Sequence, residues 1–454
     1  MNTVAWLYIF LPCAIGGGLF FTVRTRGVQL LHPGHVASET LGGIFSRKRA
    51  GKGSVSAFQA LSTALSASVG TGNIVGTCQA ITMGGPGAVL WLWAAGVLGM
   101  ATKYCEVCLS IRFRERDSKG DWVGGPMYYL SRGLPKVGKP LAAAYAVMVM
   151  LASFGIGSSV QVRVIGDALS GVAARMGGES IAPFVGPACG ILCALLVGVI
   201  LFGGIRRIGS VTERLVPLMS GVYIIFCLVV ICTHLPGLGT AFRSIFAEAF
   251  TGRAAMGAAS GIALRQVILW GMRRSAFSNE AGLGSAAIAH AAADTDGPVQ
   301  QGMFGILEVF VDTLVICTLT ALTVLSSGVR IPFGTLPDTG LITGALATSF
   351  GENVSVAVVA LCITLFGFST SVGWSLYGTR CAGYLLGERG VQAYRWLFLG
   401  VIALSGMLPA GAVWDAADTF NALLSVPNFI ALFALSGTVA KLTADYFKQR
   451  KNVK

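Results

Sequence analysis

Charge is scarce in this sequence: only 12% of its 454 residues are Asp, Glu, Lys or Arg, and just 20 are acidic. A water-soluble chain of this length carries about twice that charged fraction, so a soluble globular fold is excluded at the outset. Histidine is scarcer still, with four copies (His32, His35, His234, His290) that form no cluster with the cysteines. Most of the eleven cysteines stand alone in apolar stretches, as Cys13, Cys78, Cys189, Cys227, Cys317 and Cys362 do. A free thiol there packs as a small hydrophobe. Cys105 and Cys108 form a C-x-x-C without a second pair, which speaks against a transition-metal site or a disulfide framework. Thr71 and Ser369 have no His–Asp arrangement near them in the sequence, so no covalent chemistry and no cofactor are expected. The chain does not read as an enzyme.

What the sequence has in abundance is apolar. Hydrophobic residues make up 54% of it and the mean hydropathy is +0.72. Uncharged runs of roughly 20 residues recur from end to end, each long enough to cross ~30 Å of hydrocarbon. The 61 glycines suit closely packed membrane helices. The net charge of +13 lies in connecting segments rather than on one helical face. Arg47, Lys48, Arg49 and Lys52 form one group; Arg112, Arg114, Arg116 and Lys119 a second; Arg206, Arg207 and Arg214 a third; Lys448, Arg450, Lys451 and Lys454 a fourth. That is the distribution of a cytoplasmic membrane face, not of a nucleic-acid surface.

The apolar pattern predicts an all-α integral membrane protein with about eleven transmembrane helices. The spans are 4–23, 56–82, 86–110, 140–169, 181–204, 213–235, 258–292, 300–326, 345–377, 393–411 and 417–441. The first has no basic residue before it and Arg24 and Arg26 just after it. That is the reverse of a secretory signal, so it reads as a retained helix. The basic segments 24–53, 111–139, 205–214, 378–392 and the C-terminal tail then share the cytoplasmic side of a multi-pass inner (cytoplasmic) membrane protein, with the N-terminus outside and the C-terminus inside.

Two spans are unusual. Span 56–82 holds S-V-G-T-G-N-I-V-G from Ser68 to Gly76, and the long span 258–292 holds N-E-A-G-L-G from Asn279 to Gly284. Both read as helices broken near mid-bilayer, where loose backbone is tolerated only beside a cavity. Setting the first helix aside, a broken helix leads each of two sets of five spans, 56–235 and 258–441. Five plus five spans starting from opposite sides are the pattern of an inverted-repeat solute carrier, with its site where the breaks meet. Residues 1–454 then form one transporter domain. A broken helix offers orphan amides to an anion and orphan carbonyls to a cation. In span 56–82 the amides from Thr71 to Val75 would face a carboxylate, and the carbonyls from about Ala67 to Gly70 would face Na⁺ or an ammonium. The string G-T-G-N-I-V-G fails as a dinucleotide fingerprint on both spacing and context.

Other polar residues leave alternatives open. Gln161 is either a cavity-facing amide or a helix-end residue near the surface, and Arg163 is spaced to pair with Asp167. Ser369 and Thr370 offer hydroxyl ligands to a hard cation, or bond back to their own helix, and Trp374 lies one turn beyond Thr370. Glu308 and Asp312, at i,i+4, either line an ion pathway or partner Arg265, Arg273 or Arg274. Lys103 and Glu106 read as a structural pair.

Several strings occur in the order of one family: G-T-G-N-I-V-G (70–76), G-G-P-G-A (84–88), T-K-Y-C-E (102–106) and G-G-P-M-Y-Y-L (124–130), then F-S-N-E-A-G-L-G-S-A (277–286), E-V-F-V-D-T (308–313), F-S-T-S-V-G-W-S-L-Y-G (368–378) and D-T-F-N-A-L-L-S-V-P-N (418–428). The chain resembles the alanine/glycine:cation symporters, also called sodium:alanine symporters, from about residue 1 to 441. The resemblance implies a leucine-transporter-like 5+5 inverted repeat plus an extra N-terminal helix. It implies uptake of a small neutral amino acid (alanine or glycine) with Na⁺, or H⁺ in some members. By position, Thr71, Gly72, Asn73, Gln161, Phe277, Ser278, Asn279, Thr370 and Trp374 would line the amino-acid site, while Gly70, Ser369 and Thr370 would hold the ion. The chain departs from the family pattern at Ser158, Arg163 and Thr379. A cation channel and a non-transporting amino-acid receptor are the alternatives; Na⁺ is the only metal expected, and the bilayer the surrounding partner.

Overall fold

The computed structural model describes residues 5–45, 54–178, 180–251, 264–336, 339–408 and 410–451. Residues 258–263 of the seventh span, the basic cluster 47–52 and Lys454 lie outside the described residues. Among the described residues eight helices are long and apolar enough to cross a membrane. We label the elements that position the site: α1 (Trp6–Arg24), α2 (Ala57–Ser68), α3 (Thr77–Gly84), α4 (Ala88–Phe113), α5 (Gly138–Arg175), α6 (Ala182–Leu201), α7 (Gly204–Thr233), α8 (Leu264–Asn279), α9 (Ala286–His290), α10 (Pro298–Ser326), α11 (Glu352–Ser405) and α12 (Ala410–Lys451).

The first expected break is present. α2 opens on a capping box, Ser56 with Gln59, that satisfies two orphan amides. It stops at Val69, whose backbone is extended, and the chain resumes as a π-helical turn over Gly72–Gly76 before α3. The second break lies between α8 and α9, where Glu280, Gly282 and Gly284 all have positive φ. Two residues before α2, Val55 and Ser56, pair in parallel with Ala293 and Asp294 just after α9, so the two broken helices are tied at one end.

Several boundaries differ from the sequence reading. The span expected at 345–377 is two helices, Gly340–Phe350 and the start of α11, because Gly351 turns at φ 74°. α11 covers the rest of this span and most of the one expected at 393–411, with its direction changing at Gly387 (φ 66°). The span expected at 417–441 is part of α12, which runs on as far as Lys451. The segment 205–214 is the opening of α7 rather than a connection: its arginines can extend into water from a helix end.

The basic connections meet at one end of the bundle. Arg380 pairs with Asp117 at 3.1 Å, and Lys119 with Glu388 at 2.7 Å. These residues line a cavity of about 450 Å³ together with Gly203–Ile205. At the same end Arg114 donates to the carbonyls of Ala291 and Ala293, Gln300 donates to Glu39, and Arg450 pairs with Glu39.

Candidate functional site

Three of the helices around the breaks carry π-helical turns: Gly72–Gly76, Gly155–Ser159 in α5 and Phe310–Cys317 in α10. Such turns free backbone groups from the i−4 ladder and recur at functional sites. They bring Asn73, Gln161 and Asp312 to one region, all buried.

The first break is held by side chains. Gly70 N donates to Asn73 Oδ1 at 2.9 Å, and Thr71 donates to Gln161 Oε1 from both Oγ1 (2.9 Å) and N (3.3 Å). Gln161 in turn donates to the carbonyl of Ile156 at 2.9 Å. Gln161 is therefore a buried amide facing the break, and not a surface residue. Gly70 is required by space, since a methyl there would run into Thr370 Oγ1. Thr370 itself bonds back to Phe366 O, and Ser369 donates to the carbonyl of Ser66, late in α2, at 3.3 Å.

Asn73 links the first break to the second. Its Nδ2 donates to Asp312 Oδ1 at 2.7 Å, while Ser278 Oγ and Thr313 Oγ1 donate to Asp312 Oδ2 at 2.7 and 2.9 Å. Asn279 donates to Thr313 at 2.9 Å and accepts from Ala281 N, and a Cβ on Gly72 would touch the Phe277 ring. Thr71, Gly72, Asn73, Gln161, Phe277, Ser278, Asn279 and Thr370 thus form one constellation with Gly70 and Asp312. Trp374 joins it from α11, against Gly157 of the α5 turn, with Nε1 donating to Glu280 Oε1 at 2.8 Å.

One expectation needs correction. Lys103 and Glu106 do not pair with each other. Lys103 Nζ lies 3.3 Å from Glu308 Oε1, and Glu308 Oε2 lies 3.0 Å from His290 Nε2. Glu106 instead accepts from Gly282 N (2.9 Å), Gly284 N (3.1 Å) and Asn428 Nδ2 (2.7 Å), so it caps the second break. The reason is facing: residues three apart on α4 share a side, and α8–α10 offer better partners than each other. Glu308 and Asp312 have different neighbours, Lys103 and His290 for the first and Asn73, Ser278 and Thr313 for the second. Arg163 does pair with Asp167, at 2.9 Å.

Glu106, Glu280, His290 and Asn428 were missed as site residues. The signal was present for two of them: Glu280 stands inside the broken-helix string, and Asn428 in S-V-P-N. Replacing Glu106 by Ala would orphan two buried amides and the Asn428 amide. At about 1–3 kcal/mol for each unsatisfied buried group, we expect a loss of roughly 3 kcal/mol, read as a lower midpoint in thermal unfolding of the detergent-solubilised protein. An unchanged midpoint would mean that water caps the break.

Among the described residues the arrangement has no exposed nucleophile or acid–base pair. It offers two interrupted helices, hydroxyls, amides and the carboxyls of Asp312 and Glu280 around a buried point, which suits binding a small zwitterion with a monovalent cation. The model of the sodium:alanine symporter family matches residues 1–454. The chain is similar to the sodium/alanine symporter AgcS of Methanococcus maripaludis, at 39% identity covering 100% of this chain and 97% of that protein. It is also similar to the probable sodium/glutamine symporter GlnT of Bacillus subtilis, at 34% identity covering 99% and 90%. Among solved structures it resembles MhsT in complex with L-phenylalanine, with a TM-score of 0.62 and 12% identity over 87% of this chain and 99% of that one. At that identity the likeness speaks for the fold alone.

Proposed function

The chain belongs to the sodium:alanine symporter family, and from that premise we propose that it carries alanine, glycine or a similar small neutral amino acid with Na⁺ by alternating access. It is a multi-pass membrane protein and a cation-coupled amino-acid symporter, not an enzyme. The finer reading is ours. Eleven crossings follow if α2–α3 and α8–α9 each cross once and α11 crosses twice, which gives five plus five after α1. The N-terminus then lies outside the cytoplasmic membrane and the basic end within.

The observation that carries the reading is the bridge Asn73–Asp312–Ser278, one residue from each broken helix on a single buried carboxylate. The solute carboxylate would take the amides and hydroxyl at Thr71 and Gly72, and its ammonium the carbonyl ends of the breaks. Phe277 and Trp374 would bound the side-chain space, with Gln161, Asn279 and Thr370 completing the rim. The ion would lie by Gly70, Ser369 and Thr370, with the Asp312 carboxyl close by. Bound Na⁺ would organise the break that the amino acid uses, so each raises the affinity for the other.

The test is uptake of labelled alanine into proteoliposomes under an inward Na⁺ gradient against equal K⁺. Accumulation only with Na⁺, competed by unlabelled glycine or serine, is the expected result. Accumulation driven by a pH gradient instead would reassign the ion to H⁺. Competition by glutamine but not glycine would reassign the solute, and current independent of any amino acid would make the protein a channel.

A further inference from the structure

Among the described residues two non-glycine residues have positive φ, Arg26 and Glu280. Arg26 sits beside Gly27 at a helix end. Glu280, at φ 56°, is only 1% exposed within the second break. An L side chain is sterically disfavoured in that backbone region, and a buried carboxylate is unfavourable wherever donors are few. Glycine would relieve both costs, and the neighbouring Gly282 and Gly284 adopt the same left-handed sign. Non-glycine strain of this kind persists where the side chain has a task.

Both carboxylate oxygens are engaged. Trp374 Nε1 donates to Oε1 at 2.8 Å and Ser285 Oγ donates to Oε2 at 2.5 Å. Trp374 is completely buried and held on two further sides. A Cβ on Gly157 would come within 2.6 Å of Trp374 Cγ, so the α5 turn lies flush against the root of the side chain. The Tyr377 ring meets the indole edge-on, with centroids 5.4 Å apart. Gly157 and Tyr377 contact the indole without directional bonds. Among the described residues the hydrogen bond to Glu280 is the indole's one directional contact, and so the one that selects its rotation about the Cβ–Cγ bond.

We propose that Glu280 is a positioning residue: it anchors Trp374 as a rigid wall of the solute pocket and thereby sets the upper size limit of the amino acid carried. This rests on the amino-acid reading above. A wall that can rotate admits longer side chains, whereas a wall pinned at its N–H does not. The strained backbone and the buried charge are retained because glycine at this position could not hold the indole.

The test is a size ladder of unlabelled amino acids (glycine, alanine, serine, valine, leucine) competing with labelled alanine uptake in proteoliposomes. Glu280→Gly removes the anchor and the backbone strain together, and the relieved strain offsets part of the cost of leaving Trp374 Nε1 and Ser285 Oγ without their acceptor. Trp374→Phe keeps an aromatic wall and removes the N–H. Each is expected to improve leucine inhibition relative to alanine by at least about tenfold. The double variant should go no further than either single one, because both break the same contact. Glu280→Gln, which keeps an acceptor for the indole, should stay near the parent profile, an outcome a merely structural role would not give. Where a variant no longer transports, the same ladder is read from the melting-temperature rise each amino acid produces. An unchanged leucine-to-alanine ratio in Glu280→Gly and Trp374→Phe overturns the proposal. A parent protein that neither transports nor is stabilised by any amino acid in the ladder overturns the amino-acid reading instead.

Discussion

Uptake by an Asn73→Ala carrier should fall to the level of empty liposomes while the protein still inserts in the membrane. Asn73 makes the bonds that no neighbour can replace. Its Oδ1 holds the Gly70 amide at 2.9 Å, and its Nδ2 holds Asp312 at 2.7 Å. Alanine keeps the helix propensity and loses both bonds, leaving a buried amide and a carboxylate oxygen without their partner. At about 1–3 kcal/mol for each unsatisfied group, and more for a charged one, a total near 4 kcal/mol is expected. A tenfold change in rate corresponds to about 1.4 kcal/mol, so transport should drop by roughly three orders of magnitude. Insertion should not suffer, because replacing Asn by Ala makes a membrane segment more apolar. Initial uptake rates, set against the amount of carrier recovered in the liposomes, decide the point. Normal uptake by this variant would remove the bridge between the two breaks from the mechanism.

The second large effect is on stability. Lys103 and Glu308 are both fully buried, 3.3 Å apart, and His290 takes the other Glu308 oxygen. Gln301 Nε2 lies 2.8 Å from His290 Nδ1, so one network joins α4, α9 and α10. Lys103→Met fills the same volume but leaves the Glu308 carboxylate with His290 alone. Removing one partner of a buried pair costs about 3–5 kcal/mol, whereas replacing both partners is often close to neutral. The single variant should therefore unfold at a clearly lower temperature in detergent, with a smaller monodisperse fraction on size exclusion. Lys103→Met combined with Glu308→Gln should recover most of the loss, since the two effects are coupled rather than additive. A single variant that melts like the parent would show that the ammonium contributes nothing to the fold.

These two networks differ in how far they could be read from the chain. Asn73 announces itself: an Asn between glycines in an apolar run is costly unless it lines a polar site, and its place in the first break followed from that. Its partner did not, because Asp312 lies 239 residues away. The i,i+4 spacing of Glu308 and Asp312 suggested a shared role, whereas the fold turns them to different neighbours. Lys103 and Glu106 misled in the same manner, since proximity along a helix says which side chains could meet, and not which better partner lies across the interface. Boundaries slipped where a single glycine decided them, at Gly351 and Gly387, because an apolar run looks alike on both sides of a left-handed residue.

By itself the sequence determined the class of the protein, the two interruptions and most of the residues that gather at them. The class and the interruptions follow from hydropathy, length and helix propensity, which are local quantities, and most of the residues follow from their positions in the strings that resemble the family's. The tertiary structure alone decided which carboxylate serves which break: Asp312 for Asn73 and Ser278, Glu106 for Gly282 and Gly284, and Glu280 for Trp374. In a bilayer interior every buried polar group must find a partner within the protein, and which partner it finds depends on how helices far apart in sequence are packed.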